Sequence, residues 1–592
     1  MSAVEEYPQR LKARESRVAD YEKVHLRLGN LRLALVATAA LLLWLAYRRY
    51  LPTFWWLAVP AVAFLAVAVY HSRILRAQSL AQRAVDFYRR GMARIEDRWT
   101  GTGQTGERFD DPHHVYASDL DLFGKGSLFE LLSVARTRMG EETLANWLLA
   151  PAPVKQIHER RGAIVELRDL LDFREELSVL GEDAKVGVHP EALLRWAEAP
   201  NRQHRRWLQW VAPLCAVLFM ASVAFWWYSG WITPLLVVVI SEALLTYRLR
   251  SSLDDILHGT EDSLGDLELL AAVLARIERQ SLQSPRLQTL KNQLSSHHLP
   301  SSVTINRLRT IVEFIRAGEN IVMRTLDTPL MYSVQVAFAA ERWRSVHGKV
   351  VRQWLGAIGE LEGLLSLATY SFEHPDDPFP EFAEGNSCIE GMGLAHPLLA
   401  AAKCVGNDVS LCGETRVLLV SGSNMSGKST LLRVIGTNVV LAMAGAPVRA
   451  RSLRINPLYV GASIRVNDSL QEGSSRFYAE ITRLRDIYNL SASEPSMLFL
   501  LDEFLQGTNS HDRLIGAEGV IGALLNRGAI GVVTTHDLAL TAIRGLPDGA
   551  LRNMHFQDEF EDGQMNFDYA LKEGIVTKSN GLALMRSIGL DV

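Results

Sequence analysis

One short segment of the chain combines glycines, a lysine and a serine at a spacing that binds phosphate. The apolar run Val417–Val420 is followed by Gly-Ser-Asn-Met-Ser-Gly-Lys-Ser-Thr and then by a helical pattern. Glycines let the backbone wrap around phosphate oxygens, and N–H groups at a helix N-terminus bind the anion. Lys428 then reaches the β- and γ-phosphates, and the Ser429 hydroxyl binds Mg²⁺. Residues 422–427 are named the glycine loop. The predicted nucleotide contacts are Gly422, Ser423, Asn424, Met425, Ser426, Gly427, Lys428, Ser429 and Thr430.

Two further apolar runs end in residues that complete a hydrolytic site. After Met497–Leu501 come Asp502, a candidate Mg²⁺ ligand, and Glu503, a candidate general base that activates water. After Ile530–Thr534 comes His536, which we expect to contact the γ-phosphate. Carboxylates and histidines at strand ends are common on solvated surfaces, so this prediction depends on the glycine loop. The combined pattern predicts an ATP- or GTP-hydrolysing protein, with catalytic residues Glu503, His536 and Lys428 and metal ligands Ser429 and Asp502.

Changes in hydrophobic periodicity divide the chain at a proline-rich linker, His374–Phe382. Beyond the linker, short β-type runs alternate with helices, which predicts a mostly parallel sheet in an α/β P-loop domain over residues 386–592. Before the linker, apolar residues recur every three or four positions over residues 73–202 and 251–385, which predicts all-α regions. The predicted fold class is therefore α+β, with several domains.

The mean hydropathy of +0.05 is high for a soluble protein, and two regions account for it. Leu31–Arg73 contains two apolar spans, and Arg205–Arg250 contains a long run without charge. Because about 20 apolar residues cross a bilayer, we predict transmembrane helical hairpins at 31–72 and 203–250, four spans in all. Arginines at their outer ends place both termini, including segment 1–30, in the cytoplasm. The alternative is a pair of buried helical hairpins in a soluble protein.

Charge and cysteine content exclude other classes of protein. With 62 basic and 66 acidic residues the net charge is −4, so the chain has no overall basic field that would attract nucleic acid or an anionic membrane. The four cysteines lack CxxC spacing and are too few for a disulfide scaffold. We predict buried, reduced thiols in a cytosolic body at Cys215, Cys388, Cys404 and Cys412.

Taken together, the motifs resemble those of the MutS family of DNA mismatch-repair ATPases. GSNMSGKST is similar to that family's phosphate loop, LLDEFLQGTNSHD to its Walker B segment and VVTTHDLAL to its histidine switch. Asn467–Leu484 resembles the family's trans-acting signature segment, and EGIVTKSNGLALMRSIGL resembles its closing segment. Upstream, DLDLFGKGSLFELLSVARTRMGEETLANWLLAPAP is similar to the first part of the family's helical core, and residues 260–372 occupy the place of its lever helices.

The resemblance implies an ABC-type ATPase that uses ATP and Mg²⁺ and works as a homodimer. In such a dimer the partner's signature segment completes each site, and Ser475 matches the family's serine that acts in trans. The aromatic residue on which the family stacks adenine is replaced near Cys404 in this sequence.

This sequence also departs from the family pattern in ways that change the expected function. The family's mismatch-recognition domain needs a long N-terminal module, whereas only about 110 residues precede the core here. We therefore expect a MutS-related ATPase anchored in the cell inner membrane, with cytoplasmic ATPase and helical domains, whose nucleotide state moves its levers. We expect any DNA binding to be non-specific. The alternatives are an ABC-type transport-related ATPase and a soluble mismatch-repair factor.

Overall fold

The computed structural model describes residues 2–48, 50, 54–181, 190–199, 208–257, 264–296, 299–318, 327, 331–423, 426–465, 476–561 and 564–576. The N-terminal part is helical, and the C-terminal part is built on two sheets. The helices are α1 (Ala3–Tyr47), α2 (Ala58–Ile95), α3 (Leu128–Leu132), α4 (Arg138–Leu149), α5 (Val154–Asp169), α6 (Leu171–Gly181), α7 (Pro190–Glu198), α8 (Leu208–Ser229), α9 (Thr233–Leu257), α10 (Leu264–Arg279), α11 (Pro285–Gln293), α12 (Ser301–Gly318), α13 (Tyr332–Glu373), α14 (Lys428–Ala444), α15 (Arg476–Leu490) and α16 (Ser510–Asn526). The strands are β1 (Ser295–Ser296), β2 (Leu299–Pro300), β3 (Glu381–Phe382), β4 (Ile389–Leu394), β5 (Asn407–Leu411), β6 (Val417–Ser421), β7 (Ser452–Ile455), β8 (Tyr459–Ser463), β9 (Met497–Leu501), β10 (Ile530–Thr535), β11 (Leu551–Glu561) and β12 (Gln564–Glu573).

Helices α1 and α2 form one long hairpin with an apolar end and a polar end. The predicted division between residues 1–30 and 31–72 falls inside α1, which continues unbroken for 45 residues. Its polar and apolar halves form a single helix because no proline separates them. At the apolar end large side chains face outward, and Trp44 and Trp55 are 51% and 81% exposed.

The polar end of this hairpin is bonded to the helical body. Arg94 of α2 donates to both carboxylate oxygens of Glu373, at 2.6 and 2.7 Å, and the Tyr7 hydroxyl of α1 donates to the same carboxylate at 3.1 Å. Burial and the Glu373 charge raise the pKa of Tyr7, so its hydroxyl remains a donor. Because Glu373 is the last residue of α13, the hairpin is fixed to the helix that leads into the C-terminal part.

The helical body is organised around α13, a helix of 42 residues. Helices α4, α5, α7, α11 and α12 pack against it. Within the predicted helical region 73–202, residues 96–127 form turns and one short 3-10 helix at Glu107–Phe109. Glycines with left-handed backbone angles interrupt helix formation there, since this conformation is open mainly to glycine. These glycines are Gly101, Gly106, Gly124 and Gly126.

A buried carboxylate on α13 makes the stability of the helical body depend on pH. Glu362 accepts hydrogen bonds from the backbone N–H groups of Arg136 and Thr137, at 3.3 and 3.1 Å, at the start of α4. Burial raises the pKa of Glu362 from 4.5 to about 7, although these hydrogen bonds act in the opposite direction. Between those two pH values the folded protein holds a proton that the unfolded chain releases. The free energy of unfolding therefore falls as the pH rises through this range.

We expect Glu362→Gln to flatten this pH dependence. The amide cannot ionise, so the loss of about 2 kcal/mol between pH 5 and pH 8 should disappear from the variant. Thermal unfolding of the detergent-solubilised protein across that pH range measures the effect. Equal pH slopes for the wild type and the variant would contradict the assignment.

Helices α8 and α9 form a second hairpin, with Gly230 at its turn in a left-handed conformation (φ 73°). The aromatic residues at this turn are open to solvent, with Trp227 87% and Trp231 68% exposed. The base of the hairpin packs on α13, and the described apolar side chains further out face mainly outward.

Three helices in the described part of the chain are long and apolar enough to cross a membrane, by length and composition. They are Ala3–Tyr47, Trp55–Ile95 and Trp210–Ser229. Only 0%, 11% and 11% of the residues in their most apolar windows are buried among the described residues. The second helix of the second hairpin, α9, is not among the three.

The C-terminal part contains a six-stranded sheet in the order β12-β11-β6-β10-β9-β8. Every neighbouring pair in this sheet is parallel except β11 and β12, which agrees with the predicted mostly parallel sheet. Strands β6, β9 and β10 are buried on both faces and consist almost wholly of apolar residues. A four-stranded sheet, β3-β7-β4-β5, lies beside it. The predicted linker, residues 374–382, directly follows α13, and its last two residues form β3.

Two of the four cysteines are paired, so the prediction of reduced thiols is wrong at these positions. Ile389 of β4 lies opposite Leu411 of β5, which places Cys388 and Cys412 opposite each other one position further along. Their Cα atoms are 4.6 Å apart and their sulfur atoms form a disulfide. The strand register brings them together, and the spacing of the cysteines in the sequence does not show it. Cys215 and Cys404 are free and only partly buried.

Candidate active site

The glycine loop connects the end of β6 to the start of α14, as the sequence predicts. Gly427 adopts φ 103°, a left-handed conformation, and α14 begins at the next residue, Lys428. The Lys428 ammonium donates to the carbonyl oxygens of Gly422 and Ser423, at 2.7 and 2.8 Å. Asn424 and Met425, also predicted contacts, lie outside the described residues. The described residues of the loop therefore hold a buried cation at a helix N-terminus, which is an arrangement that attracts anions.

The electrostatic environment of Lys428 comes from its burial and from nearby carboxylates. Lys428 is only 4% exposed, and this burial lowers the pKa of its ammonium group. Glu503, Asp502 and Asp558 act in the opposite direction, since their negative charges favour the ammonium form. Negative charge from a bound phosphate would stabilise the ammonium further.

The two predicted carboxylates follow β9 at the edge of the sheet where β10 also ends. Val533 of β10 pairs with Leu501 of β9, so Thr534 lies beside Asp502. The Thr534 hydroxyl donates to Asp502 and accepts the backbone N–H of Glu503 at 3.1 Å. The backbone of Glu503 is left-handed, with φ 45°, which is uncommon for a residue with a side chain. This hydroxyl contact was not predicted, although the strand order makes it possible.

His536 lies on the same edge but does not bond Glu503 directly. Its Nδ1 is 4.0 Å from Glu503 Oε1. The side-chain amide of Gln506 lies between them and donates to both groups. The sequence analysis did not identify Gln506, because this residue lies just after a common strand-end motif and is not itself part of a motif.

A cavity of about 750 Å³ extends from these residues along the surface of the C-terminal part. Its polar end is formed by Lys428, Ser429, Asp502 and Glu503. Leu399, Lys403, Cys404, Val405 and Tyr569 also line it. The volume is in the range of small-molecule and cofactor sites. The lining therefore combines charge for phosphate with apolar and aromatic surface for a base.

Tyr569 of β12 is a second residue that sequence reasoning missed. Its ring lies 3.2 Å from the position of a Cβ atom added to Gly427, so any larger residue at 427 would press on it. Its carbonyl accepts a hydrogen bond from the Asn407 side chain at 3.0 Å, and its backbone has φ 51°. The sequence points to Cys404 as the place where a stacking aromatic is replaced; the structure brings Tyr569 into the same cavity from another strand.

The helical body contributes one buried carboxylate to the border of this site. Asp119 accepts the backbone N–H groups of Ile464 and Arg465, at 2.8 and 2.7 Å, and lies 3.5 Å from Arg483 of α15. Burial raises the pKa of Asp119, and these donors act in the opposite direction. Asp119 thus holds the chain on both sides of the predicted signature serine, Ser475, which itself lies outside the described residues.

Comparison with known protein families agrees with this geometry. The family model of MutS domain V matches residues 418–591. This range includes every strand of the six-stranded sheet except the first residue of β6. The C-terminal region is thus similar to MutS domain V. The match includes the glycine loop and the strand ends that carry Asp502, Glu503 and His536.

Curated MutS relatives match the chain over different lengths. The chain is 32% identical over 535 residues to the DNA mismatch repair protein MSH3 of Phaeosphaeria nodorum, an alignment covering 80% of this chain and 46% of that protein. It is 32% identical over 313 residues to the DNA mismatch repair protein MutS 2 of Halobacterium salinarum, covering 52% and 34%. It is 30% identical over 252 residues to the DNA mismatch repair protein msh3 of Aspergillus terreus, covering 41% and 22%. The chain therefore spans between about a fifth and a half of the length of these relatives.

Proposed function

We propose that this protein is a membrane-anchored, MutS-related ATPase. The observation that carries the proposal is the convergence of Lys428, Ser429, Asp502 and Glu503 at one end of a cavity of nucleotide size. ATP is the proposed substrate, with its phosphates at the glycine loop and its base against the apolar and aromatic part of the cavity lining.

The donor set at the polar end fits Mg²⁺. Ser429 and Asp502 offer a hydroxyl and a carboxylate oxygen on the same cavity, and oxygen ligands are those that Mg²⁺ prefers. When bound, the ion would neutralise charge on the phosphate oxygens. Thr534 orients Asp502 for this role by donating to its carboxylate.

Individual side chains of the protein then have separate roles in hydrolysis. Lys428 exchanges its carbonyl partners for phosphate oxygens and stabilises their negative charge. Glu503 accepts a proton from the attacking water, and His536 holds the γ-phosphate in position. Ser475 of a second copy would complete the site, so ATP binding would bring two C-terminal regions together as a homodimer.

Two features support membrane anchoring. The apolar ends of both hairpins expose large side chains that have no partner among the described residues, and a lipid phase would cover them. The polar end of the first hairpin is fixed through Arg94 and Tyr7 to Glu373, at the end of α13. Movement of the C-terminal region on ATP binding would therefore reach the membrane helices through α13. We place the protein in the inner membrane, with the helical body and C-terminal region cytoplasmic.

Fractionation and ATPase assays on the full-length protein test this proposal together. We expect the protein to sediment with membranes, to resist carbonate extraction and to hydrolyse ATP in detergent when Mg²⁺ is present. Homoduplex, mismatched and branched DNA should bind weakly and alike, with a steep dependence on salt.

Other outcomes would identify the alternatives. Recovery in the soluble fraction without detergent would overturn the anchor and favour a soluble factor. A tenfold or greater preference for mismatched DNA at physiological salt would favour mismatch repair. Stimulation of ATP hydrolysis by a solute that accumulates in vesicles would favour transport.

A further inference from the structure

The side-chain amide of Gln506 forms a bridge inside the candidate active site. Its Nε2 donates one hydrogen bond to Glu503 Oε2 at 2.5 Å and another to His536 Nδ1 at 3.0 Å. The amide nitrogen carries two hydrogens, so both are used. The direct distance from Glu503 Oε1 to His536 Nδ1 is 4.0 Å. Gln506 therefore stands between the candidate base and the histidine.

This bridge determines which nitrogen of His536 carries the proton. An amide N–H can only donate, so Nδ1 of His536 must accept. The proton of the neutral ring is then on Nε2, which leaves a donor available for a phosphate oxygen. Glu503 retains Oε1 to receive a proton from water, because only Oε2 is bonded to Gln506.

The backbone around Gln506 is held on several sides. Arg513 of α16 donates to the carbonyl oxygens of Leu505, Gln506 and Thr508, at 3.0, 3.3 and 3.0 Å. The same guanidinium donates to the Asp537 carboxylate at 3.0 Å, which ties this loop to the residue after His536. The Leu505 N–H donates to Glu480 of α15 at 2.7 Å.

Backbone strain at the same loop accompanies these contacts. Leu505 is 3% exposed and has φ 57°, and Glu503 has φ 45°. Residues other than glycine rarely adopt this backbone conformation, and it persists where surrounding contacts enforce it. The loop is therefore built to hold one geometry.

We propose that Gln506 is a positioning residue of ATP hydrolysis, which keeps Glu503 and His536 apart and holds each in its working orientation. The proposal rests on the proposed ATPase function and concerns the same site. Without the amide, Glu503 and His536 would face each other across 4.0 Å or less and share a proton directly. That contact would occupy the base and turn the Nε2 donor away from the phosphate.

Gln506→Leu tests the proposal in the full-length protein, because leucine keeps a similar volume and removes the donors. We expect kcat for ATP hydrolysis to fall by about tenfold or more. The KM for ATP should remain within about twofold, because Gln506 does not line the nucleotide cavity. Gln506→Glu, which keeps the shape but places an acceptor beside Glu503, should lower kcat at least as much. Gln353→Leu, at an exposed position of α13, is the matched control and should change neither constant.

A double-mutant cycle with His536→Ala separates positioning from a general structural effect. If Gln506 acts by keeping His536 from Glu503, then Gln506→Leu should cost less than about twofold in kcat when His536 is already alanine. Costs that multiply in the double variant would overturn the proposal, as would a Gln506→Leu protein with wild-type kcat. A wild-type protein that does not hydrolyse ATP would instead refute the proposed function, and this inference with it.

Discussion

Glu503→Gln is expected to bind ATP as tightly as the wild type and to lose hydrolysis by about 10²-fold or more. Its carboxylate is adjacent to the candidate metal ligand Asp502, and its Oε1 is free to receive a proton. A glutamine keeps the shape but cannot act as a base, so the loss should fall on kcat rather than on binding. Single-turnover hydrolysis and equilibrium binding of ATP by the purified protein measure the two effects separately.

A matched control and a second measurement sharpen this test. Glu384→Gln makes the same chemical change at an exposed position and should leave hydrolysis unchanged. The trapped Glu503→Gln protein should also dimerise when ATP is added, and Ser475→Ala in that background should weaken the dimer without releasing nucleotide. Hydrolysis by Glu503→Gln at close to the wild-type rate would show that another group is the base. Hydrolysis without any ATP-dependent dimer would count against completion of the site by a second copy.

Sequence patterns predict the parts of this site that depend on local structure. The glycine loop lies between an apolar strand and a helix, and this order follows directly from residues 417–444. The positions of Asp502 and His536 at one sheet edge follow because parallel strands present their carboxyl ends on the same side. The helical hairpins are visible from their apolar runs in the same way, since each is a local property of composition.

The sequence could not predict contacts that depend on how distant segments meet. Tyr569 reaches the cavity only because β12 pairs with β11, and β11 pairs with β6. Gln506 bridges two groups because the backbone at Leu505 takes an uncommon conformation, which no motif encodes. The same holds for the Cys388–Cys412 pair, which depends on the β4–β5 register. The turns between α2 and α3 were not predicted either, and four glycines with left-handed backbone angles lie in them.

The polar end of the first hairpin is attached to the end of α13. Arg94 and Tyr7 both bond Glu373, so three helices meet at one carboxylate. A buried carboxylate that loses its cationic partner costs about 3–5 kcal/mol, so this junction resists separation. From Glu373 the linker reaches β3 within eight residues, counted from 373 to 381. A short path therefore connects the C-terminal region with both α13 and the first hairpin.

Lys428→Ala should weaken ATP binding itself, in contrast to Glu503→Gln. The Lys428 ammonium is buried at the glycine loop and bonds only carbonyl oxygens in the contacts described, so phosphate oxygens offer it stronger partners. Losing a charged hydrogen bond of this kind costs about 1.5–3 kcal/mol, or roughly ten- to a hundredfold in the dissociation constant. Lys403→Ala, at an exposed position on the same cavity, is the matched control and should change affinity less than about threefold. Titration with a fluorescent ATP analogue measures both variants, and thermal unfolding shows whether each remains folded. If folded Lys428→Ala bound ATP as tightly as the wild type, the phosphates would have to lie elsewhere, and the assignment of the glycine loop would be wrong.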